Sequence, residues 1–81
     1  MIKVKGFYKN ECSKCENAKD ILLEYNIEWV NTSTDNDGYD LATSLGIKYL
    51  PAFIIGDENS LDMRIEQSAF RVRDILEKNK N

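Results

Sequence analysis

With 81 residues, 42% hydrophobic and 31% charged, the chain has the composition of one small globular domain, and no segment is repetitive or biased enough to be disordered. A net charge of −3, with acidic and basic side chains interspersed, leaves no basic patch and excludes nucleic acid as a partner. Nothing approaches membrane-spanning length, and the opening Met-Ile-Lys-Val-Lys-Gly run is too short and too alternating for a secretory signal. The expectation is a single domain over residues 1–81, monomeric and cytoplasmic, where thiols are kept reduced.

Ile2, Val4 and Gly6 alternate with Lys3, Lys5 and Phe7, so 2–8 reads as a strand, broken by Asn10. A helix follows in which Ala18, Ile21, Leu22 and Tyr25 form one apolar stripe, ending at Asn26. Ser13 and Glu16 stand at capping-box spacing, which leaves Cys12 either as the first helical residue or one place outside. Ile27, Trp29 and Val30 make a second strand, placed to close a parallel β-α-β unit. Asn31 to Gly38 reads as a polar loop and Tyr39 to Leu45 as a shorter helix closed by Gly46. Two strings here resemble motifs but read as solvated turn and helix cap. Asn31-Thr32-Ser33 fits a glycosylation acceptor without a secretory context. Ser33 to Gly38 lacks the acidic first ligand of a calcium loop, and Ser44 stands where the bidentate Glu is needed.

Ala52 to Ile55 is a continuous apolar run behind Pro51, the pattern of a buried strand preceded by its proline. Gly56-Asp57-Glu58-Asn59 is a turn, and Leu61, Met63 and Ile65 alternate with Asp62, Arg64 and Glu66 as a hairpin partner with one wet face. Ser68 caps a last helix whose Ala69, Val72, Ile75 and Leu76 point inward, with Lys78 to Asn81 fraying. The order is β-α-β-α-β-β-α, an α/β chain.

Chemistry concentrates in Cys12-Ser13-Lys14-Cys15, which holds both cysteines of the chain. The first turn of a helix carries unpaired N–H groups and the positive end of the macrodipole, which favour a thiolate. Cys12 is therefore expected to ionise below the range of a free thiol and to act as nucleophile. Lys9 and Lys14 add positive charge and Glu11 and Glu16 oppose it. Cys15, one turn further in and on the face of Ala18 and Leu22, is the expected resolving thiol. A structural disulfide ordinarily closes a longer loop in an oxidising compartment. Structural zinc needs four ligands, and the chain has no histidine and no third cysteine.

The strand, the Cys-x-x-Cys at the first helix, the Leu50-Pro51 pair before a buried strand, the hairpin and the closing helix together resemble the thioredoxin superfamily over nearly the whole chain, and at this length a glutaredoxin-like member. The resemblance implies a thioredoxin fold, a four-stranded mixed sheet flanked by three helices. It also implies a cis Leu50–Pro51 bond, with the backbone of Leu50 pairing with an extended substrate. It further implies a thiol-disulfide oxidoreductase that reduces protein disulfides through the redox-active Cys12–Cys15 pair, with no bound cofactor or metal. Lys9, three residues before Cys12, stands where glutaredoxins often carry a basic residue for a glutathione carboxylate, which makes a glutathione-dependent glutaredoxin the alternative. Ser-Lys replaces Pro-Tyr between the cysteines, and the Gly-Gly expected before the last helix is absent. Gln67-Ser68-Ala69-Phe70-Arg71-Val72 is similar at three of six positions to the Trp-Ser-Gly-Phe-Arg-Pro stretch of redoxins that serve class Ib ribonucleotide reductase and are reduced by thioredoxin reductase. That likeness implies ribonucleotide reductase as a partner. A thioredoxin-fold binding module without turnover is the reading from another class. Tyr8, Tyr49 and Phe70 are aromatics that either line a partner surface or belong to the core.

Overall fold

A computed structural model describes residues 2–57 and 62–79. Seven elements follow in order: β1 (Val4–Tyr8), α1 (Ser13–Ile21), β2 (Glu28–Asn31), α2 (Asn36–Ser44), β3 (Ala52–Ile55), β4 (Arg64–Glu66) and α3 (Ala69–Lys78). The strands form one sheet in the order β2-β1-β3-β4, with β1 parallel to β2 and antiparallel to β3, and β3 antiparallel to β4. This is the four-stranded mixed sheet and the element order expected from the sequence.

The apolar pattern explains the layering. Successive residues of β3 point to opposite faces, and both faces are covered, so all four residues are buried. On one face Phe53 and Ile55 join Val4, Ala18, Leu22, Ile27, Ala69 and Val72 under α1 and α3. On the other, Ile54 joins Phe7 and Ala42 under α2. Phe7, Phe53, Leu22, Ile54 and Val72 are fully enclosed, and burying such a side chain contributes roughly 1.5–3 kcal/mol. Gly6 sits in the middle of β1 because Trp29 lies over it: a Cβ there would stand 2.7 Å from Cε3 and Cζ3 of the indole.

Element boundaries differ from the sequence expectation where pairing or capping intervenes. β1 begins at Val4 rather than Ile2, because its antiparallel ladder starts at Val4 opposite Ile55 and only the Gly56 N–H to Lys3 carbonyl bond (2.8 Å) continues it. Helix α1 ends at Ile21, and 22–25 continue as tight turns, with Tyr25 N–H bonded to the Leu22 carbonyl at 3.0 Å. The Tyr25 hydroxyl donates to Glu77 on α3. β2 is displaced by one residue to Glu28–Asn31, and Ile27 is buried just ahead of it.

Helix α2 starts three residues before Tyr39, because the Asp35 carboxylate accepts the Gly38 N–H at 3.0 Å and caps it there. At its other end Gly46 takes φ +76°, with Gly46 N–H on the Thr43 carbonyl and Ile47 N–H on the Ala42 carbonyl, both 3.0 Å, the Schellman pattern. β4 is only three residues long, and the expected inward apolar side is met in part: Met63, just ahead of it, packs against the Phe7, Ala42 and Ile54 cluster, whereas Ile65 is 39% exposed. It is the sheet edge, and Ile65 lies on the α2 side, where α2 packs against β2 at the opposite edge instead. Leu61 and the Glu58–Asn59 part of the turn lie outside the described residues, as do Lys80 and Asn81 of the expected fraying end. Ser68 caps α3 as expected, its hydroxyl accepting the Arg71 N–H at 3.4 Å.

Candidate active site

Cys12 and Cys15 form a disulfide across the start of α1, their Cα atoms 5.2 Å apart. The two residues between them close a ring that a helix N-terminus accommodates with its own geometry, so the pair sits in the first turn. Cys12 is the N-cap: φ −123° and ψ 103° keep it outside the helix, while its carbonyl accepts the Glu16 N–H at 3.1 Å. Its Sγ accepts the Cys15 backbone N–H at 3.2 Å, the role that a Ser or Asp side chain usually fills. The Ser13–Glu16 capping box is not formed for this reason: with Cys12 as cap, Ser13 is already the first helical residue and Glu16 is exposed.

The two sulfurs differ in environment. Cys12 is half-buried, whereas Cys15 is fully enclosed on the side of α1 that also buries Ala18 and Leu22. A reagent reaches the pair from the Cys12 side. An N–H aimed at a sulfur favours its charged form, and the end of the helix dipole adds in the same direction.

The segment feeding Cys12 is sharply turned. Glu11 has φ +55°, the left-handed region that a side chain with a Cβ enters at a cost of about 1–3 kcal/mol. Just before it, Asn10 is tied to the end of β2 and the turn after it: its N–H donates to Ser33 Oγ (3.1 Å), and Asn31 Nδ2 donates to Asn10 Oδ1 (3.0 Å). Sequence reasoning gave Asn10 only the role of strand breaker and Asn31 to Ser33 that of a solvated turn. The available signal was Asn-x-Ser, which forms the local Asx turn seen here, Ser33 N–H on Asn31 Oδ1 at 2.9 Å.

Lys9 and Lys14 are both exposed, one in the loop before the turn and the other between the cysteines. Leu50 and Pro51 are half-buried and the bond between them is cis. The register places them beside the thiols' strand: Ala52, next after Pro51, pairs with Phe7, and Tyr8 on β1 pairs with Asn31 on β2. The exits of β1 and β2 and the entry of β3 therefore share one edge of the sheet, and α1 starts from it.

Gln67 ties this edge to α3, its Nε2 donating to the Tyr49 carbonyl at 3.3 Å. The three aromatics separate. Tyr49 and Phe70 are exposed, at 73% and 57%, while Tyr8 is half-buried, with the Lys19 ammonium 3.5 Å above its ring and Trp29 edge-on to it. Among the described residues, no three His, Cys, Asp or Glu side chains are grouped to hold a metal ion, and no helix is long and apolar enough to cross a membrane.

No protein-family model matches the sequence, and no curated protein matches it. Solved structures do. Thioredoxin O2 from Arabidopsis thaliana, in its oxidised state, matches over 96% of this chain and 74% of that one, with TM-score 0.66 and 12% identity. Thioredoxin f from spinach chloroplast matches over 99% of this chain and 77% of that one, with TM-score 0.65 and 20% identity. Fasciola hepatica thioredoxin matches over 95% and 79%, with TM-score 0.62 and 15% identity. At these identities the likeness is one of fold, and the chain has the thioredoxin fold, with a Cys-x-x-Cys disulfide at the head of its first helix.

Proposed function

We propose that the chain is a small dithiol redoxin that reduces protein disulfides through Cys12 and Cys15. The observation that carries this reading is the asymmetry of the disulfide: one sulfur capped by a helix amide and reachable, the other enclosed behind it. A structural staple gains nothing from such an arrangement, whereas exchange needs it.

In the reduced protein the Cys12 thiolate attacks one sulfur of the substrate disulfide. A mixed disulfide forms, the substrate S–S bond breaks, and the first substrate sulfur leaves with the electron pair and takes a proton. Cys15 then gives up its proton and attacks Cys12. The mixed disulfide breaks, the second substrate thiol is released, and the Cys12–Cys15 disulfide remains. Two electrons and two protons have passed to the substrate. A flavoprotein thioredoxin reductase is the proposed source that restores them, and class Ib ribonucleotide reductase is the proposed target, on the likeness of 67–72 to the stretch in its redoxins. In this reading the Leu50 backbone, ahead of the cis bond, pairs with the extended substrate; Lys9 and Lys14 meet its acidic groups; and Tyr49 and Phe70 offer it apolar surface. The protein works in the cytoplasm, as a monomer.

Reduction by glutathione is the competing reading, supported by Lys9, an exposed cation in the loop that leads to Cys12. The decisive measurement is NADPH oxidation with insulin as substrate, coupled either to thioredoxin reductase or to glutathione with its reductase. The thioredoxin reductase arm is expected to be faster; a faster glutathione arm reverses the ranking. Negligible rates in both arms, equal for wild type and Cys12→Ser, mean a binding module without turnover.

A further inference from the structure

We propose that Asn31, the last residue of β2, and Ser33, on the turn that follows it, are positioning residues that hold the Asn10–Glu11 turn and thereby set the reactivity of the Cys12 sulfur. The inference rests on the reading of Cys12 as an exchanging thiol.

Beyond Tyr8 the chain leaves the sheet, and the ladder no longer guides it. The turn after β2 takes over. Thr32 donates both its N–H (2.8 Å) and its hydroxyl (3.0 Å) to the Tyr8 carbonyl, which anchors that turn against the end of β1. Asn10 is then gripped twice, its backbone by the Ser33 hydroxyl and its side chain by the Asn31 amide. Asn31 Oδ1 in turn accepts the Ser33 N–H, and the Asn31 carbonyl accepts the Asp35 N–H at 2.9 Å, so the two gripping side chains are fixed to each other and to the cap of α2.

The grip acts on the residue before the strained one. A left-handed conformation at a non-glycine residue persists only where its surroundings hold it, and Glu11 is itself exposed. Its φ of +55° reverses the chain so that Cys12 enters the cap position with Sγ facing the Cys15 N–H. Removing the grip lets the turn relax and the sulfur drift from that amide. The thiolate then loses a charge-assisted hydrogen bond.

The test compares Ser33→Ala, Asn31→Ala and Ser33→Thr, which keeps the hydroxyl. Alkylation of Cys12 by iodoacetamide in the reduced proteins is followed from pH 5 to 9, alongside thermal unfolding. For Ser33→Ala and Asn31→Ala the midpoint of the pH profile is expected to move up, and alkylation at pH 7 to slow about three- to tenfold, the effect of one lost hydrogen bond. Ser33→Thr is expected to keep the wild-type profile. Wild-type profiles in both alanine variants, whatever their melting temperatures, overturn the proposal, as does a Ser33→Thr profile displaced like that of Ser33→Ala. Should Asn31→Ala not fold, the Ser33 pair decides alone. Failure of the underlying exchange reading would appear earlier and elsewhere, as a wild-type Cys12 that alkylates like a free cysteine.

Discussion

Gly6→Ala adds one methyl group where the sheet has no room for it. The new Cβ would lie 2.7 Å from two carbons of the Trp29 ring and 3.2 Å from Ile27 Cγ2. Carbon atoms rest about 3.5–4.0 Å apart, so the indole must retreat by roughly an ångström. It has little freedom to do so, with its ring edge-on to Phe53 at 5.7 Å and to Tyr8 at 6.1 Å, and Phe53 completely enclosed. Overpacking of this kind costs about 1–3 kcal/mol, against which alanine recovers about 0.5–1 kcal/mol of the backbone entropy that glycine loses in a strand. A 2.7 Å approach puts the clash in the upper part of that range, about 2–3 kcal/mol, so the net loss is about 1–2.5 kcal/mol, a fall in Tm of roughly 4–20 °C at this chain length. Thermal unfolding of wild type, Gly6→Ala, Trp29→Leu and the double variant measures it. The two changes are expected to be non-additive, with a coupling of at least about 0.5 kcal/mol, because the smaller side chain vacates the space that the methyl needs. A Gly6→Ala protein that melts within about 2 °C of wild type, or a strictly additive double variant, would refute the argument that close approach dictates glycine here.

Two further outcomes test other parts of the structure. Cys15→Ser is expected to accumulate a mixed disulfide between Cys12 and a protein substrate, visible as a reducible adduct by mass spectrometry, because the enclosed sulfur to which the proposed mechanism gives the release step is gone; rapid recovery of free protein would assign that step elsewhere. Asp35→Ala removes the acceptor for the Gly38 N–H and should cost about 1 kcal/mol, read as a fall in Tm of roughly 4–8 °C.

What could be read without coordinates is whatever short-range chemistry specifies. The spacing of Cys12 and Cys15, the alternation along β1, the unbroken apolar run of β3, the capping role of Ser68 and the left-handed Gly46 are all decided within a few residues of themselves, and the structure bears them out. Periodicity also indicated that Cys15 shares a buried face with Ala18 and Leu22. Local rules left one choice open where two of them competed: Ser13 with Glu16 made a plausible cap, Cys12 stood either first in the helix or one place outside, and the structure puts it outside, as the cap itself.

The remainder depended on strands meeting in register. Trp29 lies over Gly6 because β1 and β2 pair there in parallel, 23 positions apart in the chain. Asn10 meets Asn31 and Ser33 for the same reason, and no pattern within either segment points to the other. Ile65 alternates like a buried strand residue yet stays open to solvent, since α2 covers the opposite end of its face. Sequence spacing specifies which sulfurs can bond, because a helix turn has a fixed rise; packing between distant segments specifies how the first of them is aimed, because hydrogen bonds reach only about 3 Å and the chain must fold before those groups are neighbours.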